Sequence, residues 1–293
     1  MNRLRLRNMN EENVIPASDL ELLERTLEEV HNDSINNNTE TEELENKEIP
    51  ENSKTIEVDD YTSRFSGANW YYEIQSKTII IAGCGGIGSN TVFQIARMKP
   101  DSIIIYDNDT VETGNISGQL FRKDQIGEFK VNAISSIIRD FSNYYSVRAF
   151  NELYSYNSSV SSIMICGFDN MEARRIFFNN WLKYVRTIDE KDRKYCLFID
   201  GRLSFDTIQV FAITGDDTFN IQRYSKDFLF SDKEADETIC SLKQTTYLAC
   251  MIASIITNNL VNFCANLAAG FNINSVPFLT EYDSNNMYLK TEI

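Results

Sequence analysis

The stretch Thr78-Ile79-Ile80-Ile81-Ala82-Gly83-Cys84-Gly85-Gly86-Ile87-Gly88-Ser89-Asn90 decides how the rest of the chain is read. Four β-branched residues, Thr78 to Ile81, run into a glycine cluster, and an apolar helix-like pattern follows. That order is strand, tight turn, helix. Glycines at 83, 85, 86 and 88 permit the turn, let backbone approach a phosphate and let the helix close onto the strand. The free N–H groups of the helix's first turn then face the anion. The site should hold a nucleotide. A second buried strand, Ser102-Ile103-Ile104-Ile105-Tyr106, ends at Asp107, nineteen residues after Gly88. A nucleotide-binding fold of this kind places there the acid that hydrogen-bonds ribose hydroxyls.

Beyond Asp107 the alternation continues. Asn108 to Asn115 is loop-like, and Gln125-Ile126-Gly127-Glu128-Phe129-Lys130 leads into a helix running towards Ile138. A third strand, Ser162 to Cys166, gives way to Gly167-Phe168-Asp169-Asn170 and a helix from Met171 to Tyr184; a fourth, Cys196 to Ile199, ends in Asp200-Gly201-Arg202. Residues Thr207 to Ile213 alternate with period two, which predicts an antiparallel strand. The expected fold class is therefore α/β, a Rossmann-like, mostly parallel sheet with helices on both faces and an antiparallel extension.

Charge divides the chain. Of its net −15, residues 1–60 carry −11, with 6 Lys/Arg against 17 Asp/Glu, while the remainder has 22 against 26. We read residues 1–60 as an acidic segment with a short amphipathic helix over 18–31, where Ser18 and Glu21 have capping-box spacing, followed by a flexible linker. A domain over 61–270 and a tail over 271–293 complete the expected organisation. Nothing points to a broad electropositive face for nucleic acid. Met1 to Asn10 has no sustained apolar run, so a cytoplasmic protein is expected. Tyr247 to Gly270 is the most apolar long segment, but Thr257, Asn258, Asn259, Asn262 and Asn266 make it a buried helix and no membrane span. Six widely spaced cysteines without a CxxC pair read as thiols. The single histidine, His31, lies in the acidic segment, so histidine-based catalysis within the body of one chain is excluded.

Taken together, the glycine loop, Asp107-Asn108-Asp109, Asn115-Ile116-Ser117-Gly118-Gln119, Gly127-Glu128-Phe129-Lys130 and Asp169-Asn170-Met171-Glu172-Ala173-Arg174 resemble the motifs of the ThiF/MoeB/HesA proteins. They are similar also to the adenylation domains of ubiquitin-activating (E1) enzymes. The resemblance covers about residues 61–265 and implies ATP with Mg²⁺, and adenylation of the C-terminal carboxylate of a ubiquitin-like protein or related peptide. It implies that Asp107 binds ribose, that Lys130 binds the phosphates and that Asp169 holds Mg²⁺. The same resemblance implies that Asp109, Asn115 and Gln119 complete the nucleotide site. Tyr61-Thr62-Ser63-Arg64-Phe65 is similar to the segment whose arginine reaches into a dimer partner's site, which implies a homodimer with Arg64 acting in trans. Cys240 stands roughly where some relatives carry a reactive cysteine, which implies a thioester step and an E2-like acceptor.

Two departures stand out. Gly118 occupies a position where the family usually has arginine, so a bidentate phosphate clamp is missing unless Arg122 or Lys123 reaches back. The paired CxxC motifs of a structural zinc are absent as well. Among the remaining polar residues, Arg174 is expected to pair with a carboxylate and hold its loop, Arg202 to form a surface ion pair, and Glu112 to be solvated. Two other functions stay open at this level: an NAD(P)-dependent oxidoreductase, which the glycine loop and acid also fit, and a noncatalytic nucleotide-binding partner subunit, which Gly118 favours.

Overall fold

The computed structural model describes residues 60–230 and 245–293. Residues 1–59 of the acidic segment, with its expected helix, its linker and His31, lie outside the described residues, as does Cys240. Strand β1 (Thr78–Ala82) is buried on both faces, which is why its sequence is a continuous aliphatic run without polar alternation. It lies between β2 (Ser102–Tyr106) and β4 (Ile163–Cys166), parallel to both, with Ile80 registered against Ile104 and Met164. Strand β3 (Val147–Phe150) pairs with β2, and β5 (Leu197–Leu203) with β4, again in parallel. The described residues form an eight-stranded sheet in the order β3-β2-β1-β4-β5-β6-β7-β8. The last three strands, β6 (Thr207–Thr214), β7 (Leu279–Asp283) and β8 (Tyr288–Glu292), are antiparallel. The expected α/β class with an antiparallel extension is what the chain adopts.

Helices cover both faces because alternate strand residues point to opposite sides. Ile79 and Ile81 join a core made with α1 (Asn69–Gln75), α2 (Gly86–Ala96), α3 (Lys130–Ser142) and α6 (Thr246–Ala269). Ile80 and Ala82 join a second core with α4 (Met171–Thr187) and the segment after α5 (Thr218–Arg223), where Phe177, Phe178, Trp181 and Tyr224 are buried. By length and composition α6 could cross a membrane. Here Leu248, Ile252, Ile256, Leu260 and Phe263 are buried in the first core, as the buried-helix reading expects.

One expectation is corrected, and one strand was not foreseen. Residues 271–293, read as a tail, supply β7 and β8; β8 is almost wholly exposed and carries little of the apolar signal that marks a buried strand. Strand β3 was not expected at all. It is a four-residue edge strand, half-exposed and interrupted by Arg148, so neither length nor patterning reveals it.

The order of strands places the functional crevice. After β1 the chain moves outward to β2 and β3, then returns to lay β4 on the other side of β1. The loops leaving β1 and β4 therefore diverge, and in open α/β sheets ligands bind at this point, beyond the carboxyl ends of the strands.

Candidate functional site

A cleft of about 300 Å³ opens where those loops part. Its walls include Gly83 and Gly85 after β1, Asp107 and Asp109 after β2, Glu152 to Tyr154 after β3, and Gly167 to Asn170 after β4. Gln119 and Lys130 close it from the intervening loop and the start of α3. Residues far apart in the chain thus meet at one crevice, Lys130 and Asp169 among them.

Glycine is required here for closeness of backbones. A Cβ on Gly83, whose φ is +85°, would lie 2.7 Å from the Gly167 carbonyl group, and one on Gly88 would lie 1.8 Å from the Gly83 oxygen. The first contact joins the loops of β1 and β4; the second seats α2 on the turn. Helix α2 starts at Gly86, so its first-turn N–H groups lie beside the turn and have no intrahelical acceptors.

The Asp107 carboxylate organises the next layer. One oxygen accepts from the Cys84 N–H at 2.6 Å and the other from the Asp109 N–H at 2.8 Å, so Asp107 ties the glycine turn to its own loop. Burial pushes its carboxyl above the usual carboxylate range; the Asp109 N–H, the Lys130 ammonium and the Cys84 N–H partly offset that rise. Burial also drives the Cys84 thiol well up, with the neighbouring Asp107 charge adding to it, so Cys84 is a neutral packing group.

Lys130 is buried but carries its charge to the cleft, where Nζ donates to Asp109 Oδ2 at 2.8 Å. Asp109 is exposed, so its contact with the ammonium is one that an anionic ligand can replace. Gln119 has a buried Oε1 with no hydrogen-bond partner. An orphaned buried acceptor in a cleft wall is costly unless a ligand or water completes it. Asn115 and Glu112 cap one another and line an adjoining recess with Asp109 and Lys130, so Glu112 is part of the local framework.

Asp169 is exposed at the rim, and Asn170 beside it caps α4 by accepting from the Ala173 N–H at 2.9 Å. Among the described residues no group of three or more His, Cys, Asp or Glu side chains could hold a metal. A lone carboxylate is nevertheless a donor set suited to Mg²⁺ that draws its other ligands from phosphates and water.

Other expected residues fall elsewhere. Arg64 is exposed before α1 and does not line the cleft of its own chain. Arg122 binds Asp124 and Asp140, at 3.3 and 3.1 Å, and neither it nor Lys123 lines the cleft, so of the two alternatives neither side chain stands in for the missing arginine here. Arg202, expected at the surface, is instead mostly buried and bound to Asp200, because β5 carries both residues into the second core. Arg174 pairs with the same carboxylate, as expected. The lining contribution of Glu152, Leu153 and Tyr154 went unread with the strand that precedes them; only recognising β3 would have exposed it.

Comparison with known proteins places these features in context. A model described as the ThiF family matches residues 60–291. Over 88 residues the chain is 31% identical to ubiquitin-like modifier-activating enzyme 5 of Bombyx mori, covering 30% of this chain and 22% of that one. Over 125 residues it is 30% identical to the Oryza sativa subsp. japonica protein of the same name, covering 36% and 30%. The chain thus spans under a third of the length of these relatives. Among solved structures, PaaA superposes with a TM-score of 0.61 at 18% identity, covering 95% of this chain and 83% of that one. E. coli MccB with ATP gives 0.59 at 16%, covering 80% and 71%. These structural likenesses bear on the fold.

Proposed function

The chain belongs to the ThiF family, and from that membership we propose that it adenylates a carboxylate. In this reading ATP occupies the cleft as a substrate, and the C-terminal carboxylate of a ubiquitin-like protein or peptide attacks the α-phosphorus. The P–O bond to the β-phosphate breaks, pyrophosphate leaves with that electron pair, and an acyl adenylate remains. The observation that carries the reading is the meeting, in one crevice, of the glycine turn, the Asp107 carboxylate, the Lys130 ammonium and the unpartnered Gln119 oxygen.

Two anions must approach one another in this reaction, so positive charge fixed in advance is worth more than charge recruited during it. Lys130, already held at the cleft by Asp109, supplies such a charge. Asp107 receives the ribose hydroxyls, and the α2 N-terminus and glycine turn receive the phosphates. Mg²⁺ held by Asp169 and phosphate oxygens would neutralise the charge developing on the leaving group. Relatives named ubiquitin-like modifier-activating enzyme 5 and a solved complex of the microcin C7 biosynthetic enzyme MccB with N-formylated MccA support a protein or peptide as the acyl donor. Arg64 entering a partner's cleft in a homodimer, transfer to Cys240, an E2-like acceptor and a cytoplasmic setting belong to the same proposal.

Exchange of labelled pyrophosphate into ATP, measured with candidate small proteins and peptides, tests it. Carboxylate-dependent exchange that disappears in Asp169→Ala supports adenylation, and undiminished exchange in that variant refutes the assigned role. Gly118, together with the engagement of Arg122 by two carboxylates, favours a second reading, a noncatalytic nucleotide-binding subunit. ATP binding without pyrophosphate release in the presence of the cognate carboxylate would distinguish it.

A further inference from the structure

Behind the cleft lies a charge cluster that the proposed chemistry does not use. Asp200 on β5 is fully buried. Arg174 of α4 donates to its Oδ1, to the Gly201 carbonyl at 3.1 Å and to the Phe168 carbonyl, in the loop that lines the cleft and carries Asp169. The other oxygen, Oδ2, accepts from Arg202 Nε at 2.7 Å and from the Tyr224 hydroxyl at 2.9 Å. Arg202 in turn donates to the Phe228 carbonyl at 2.9 Å and lies over the Phe211 ring. One carboxylate therefore has one arm on the cleft loop and one on the segment 224–228.

The energetics make the two arms interdependent. Burial raises the cost of the Asp200 charge, yet the two guanidinium groups outweigh it and hold the carboxyl below its usual range. Two cations share one anion, each on its own oxygen, so moving either arm strips that mostly buried guanidinium of its partner and frees one Asp200 oxygen, which is costlier than losing a surface pair. A displacement of the Phe168 carbonyl must be passed through Arg174 and Asp200 to Arg202, or be resisted by them.

We propose that Asp200 is a positioning residue that couples the Phe168–Asp169 loop to the 224–228 segment, so that filling the cleft also orders the segment. This rests on the cleft's being a nucleotide site. Reciprocity follows from linkage: what orders the segment also tightens the cleft.

Hydrogen–deuterium exchange of the full chain, with and without ATP and Mg²⁺, tests the coupling. In the wild type the nucleotide should slow exchange at 167–170 and at 224–228. In Arg202→Lys, which keeps the charge but not the planar fork that also reaches Phe228, slowing should persist at 167–170 and vanish at 224–228. A network that merely stabilises the fold would alter exchange with and without nucleotide alike and leave the ATP-dependent difference unchanged. Should Arg202→Lys fail to fold, Arg202→Gln, which leaves Asp200 paired with Arg174 but has no fork to bridge Asp200 and Phe228, decides by the same comparison. Slowing at 167–170 alone in the wild type, or its persistence at 224–228 in the variant, overturns the coupling. No slowing anywhere in the wild type overturns the nucleotide reading and the coupling with it.

Discussion

Replacing Gln119 by leucine should make the ligand-free protein more stable and its nucleotide complex weaker. The Gln119 side chain lines the cleft with Oε1 buried and unpartnered. A buried acceptor left unsatisfied costs about 1–3 kcal/mol. Gln119 is only partly buried and its amide can turn, so the lower end, about 1 kcal/mol, is the appropriate expectation. Leucine has a similar reach and no acceptor to satisfy. For a folded unit of this size about 1 kcal/mol corresponds to a rise in Tm of roughly 2–4 °C. The same substitution removes a hydrogen-bond partner of the ligand, worth about 0.5–1.5 kcal/mol, or a roughly two- to tenfold increase in Kd. Calorimetric unfolding with and without ATP measures both effects, since a ligand raises stability by RT ln(1 + [L]/Kd). The free protein should melt higher and the ATP-induced increment should shrink. A variant that melts lower when free, or that keeps the whole ATP increment, would show that the oxygen is no ligand-binding group.

Other expectations follow from the same geometry. Gly88→Ala drives a methyl group to within 1.8 Å of the Gly83 oxygen, so α2 must shift off the turn; loss of ATP binding in titration calorimetry and a lower Tm are expected together. Lys130→Met leaves the packing volume but removes the cleft's ammonium, and pyrophosphate exchange should fall by about a hundredfold, the scale of losing one fixed electrostatic contact; activity within a factor of two would exclude a phosphate contact. Acid should reveal Asp200. Its folded-state pKa is lowered, so its stabilisation is present above the unfolded-state value and disappears as pH falls through the folded one. Denaturant titrations of the wild type and Asp200→Asn should therefore differ most near neutrality and converge towards the acid end of that window.

How much of this was legible beforehand depended on whether the signal was local. Strand β1, the glycine turn and α2 were readable because β-branched residues, glycines and a helical apolar pattern each report on a few neighbouring positions. Asp107, Lys130 and Asp169 were legible as a set through the order of their motifs, and the tertiary structure brings them to one crevice. Strand β3 was invisible because a half-exposed edge strand needs no aliphatic run, and β8 for the same reason. With β3 went the loop that adds Glu152, Leu153 and Tyr154 to the cleft wall.

Arginines were the least legible residues. A guanidinium on a long, flexible stem meets whatever carboxylate the fold supplies, and sequence distance says little about which. Arg122 turned to Asp124 and Asp140, away from the cleft, and Arg202 turned inward to Asp200.

By itself, then, the sequence determined the class of sheet, the position of the glycine turn and the acid after the second strand, because these rest on backbone period, spacing and glycine's conformational range, while Lys130 and Asp169 were picked out by the resemblance of their motifs to the family's. Only the tertiary structure decided that the Gly83 and Gly167 backbones touch, that Gln119 presents an unpartnered oxygen, and that one buried carboxylate holds Arg174 and Arg202 together. Those facts depend on strands β1, β4 and β5 being placed side by side across more than a hundred residues of chain, and no local pattern encodes that juxtaposition.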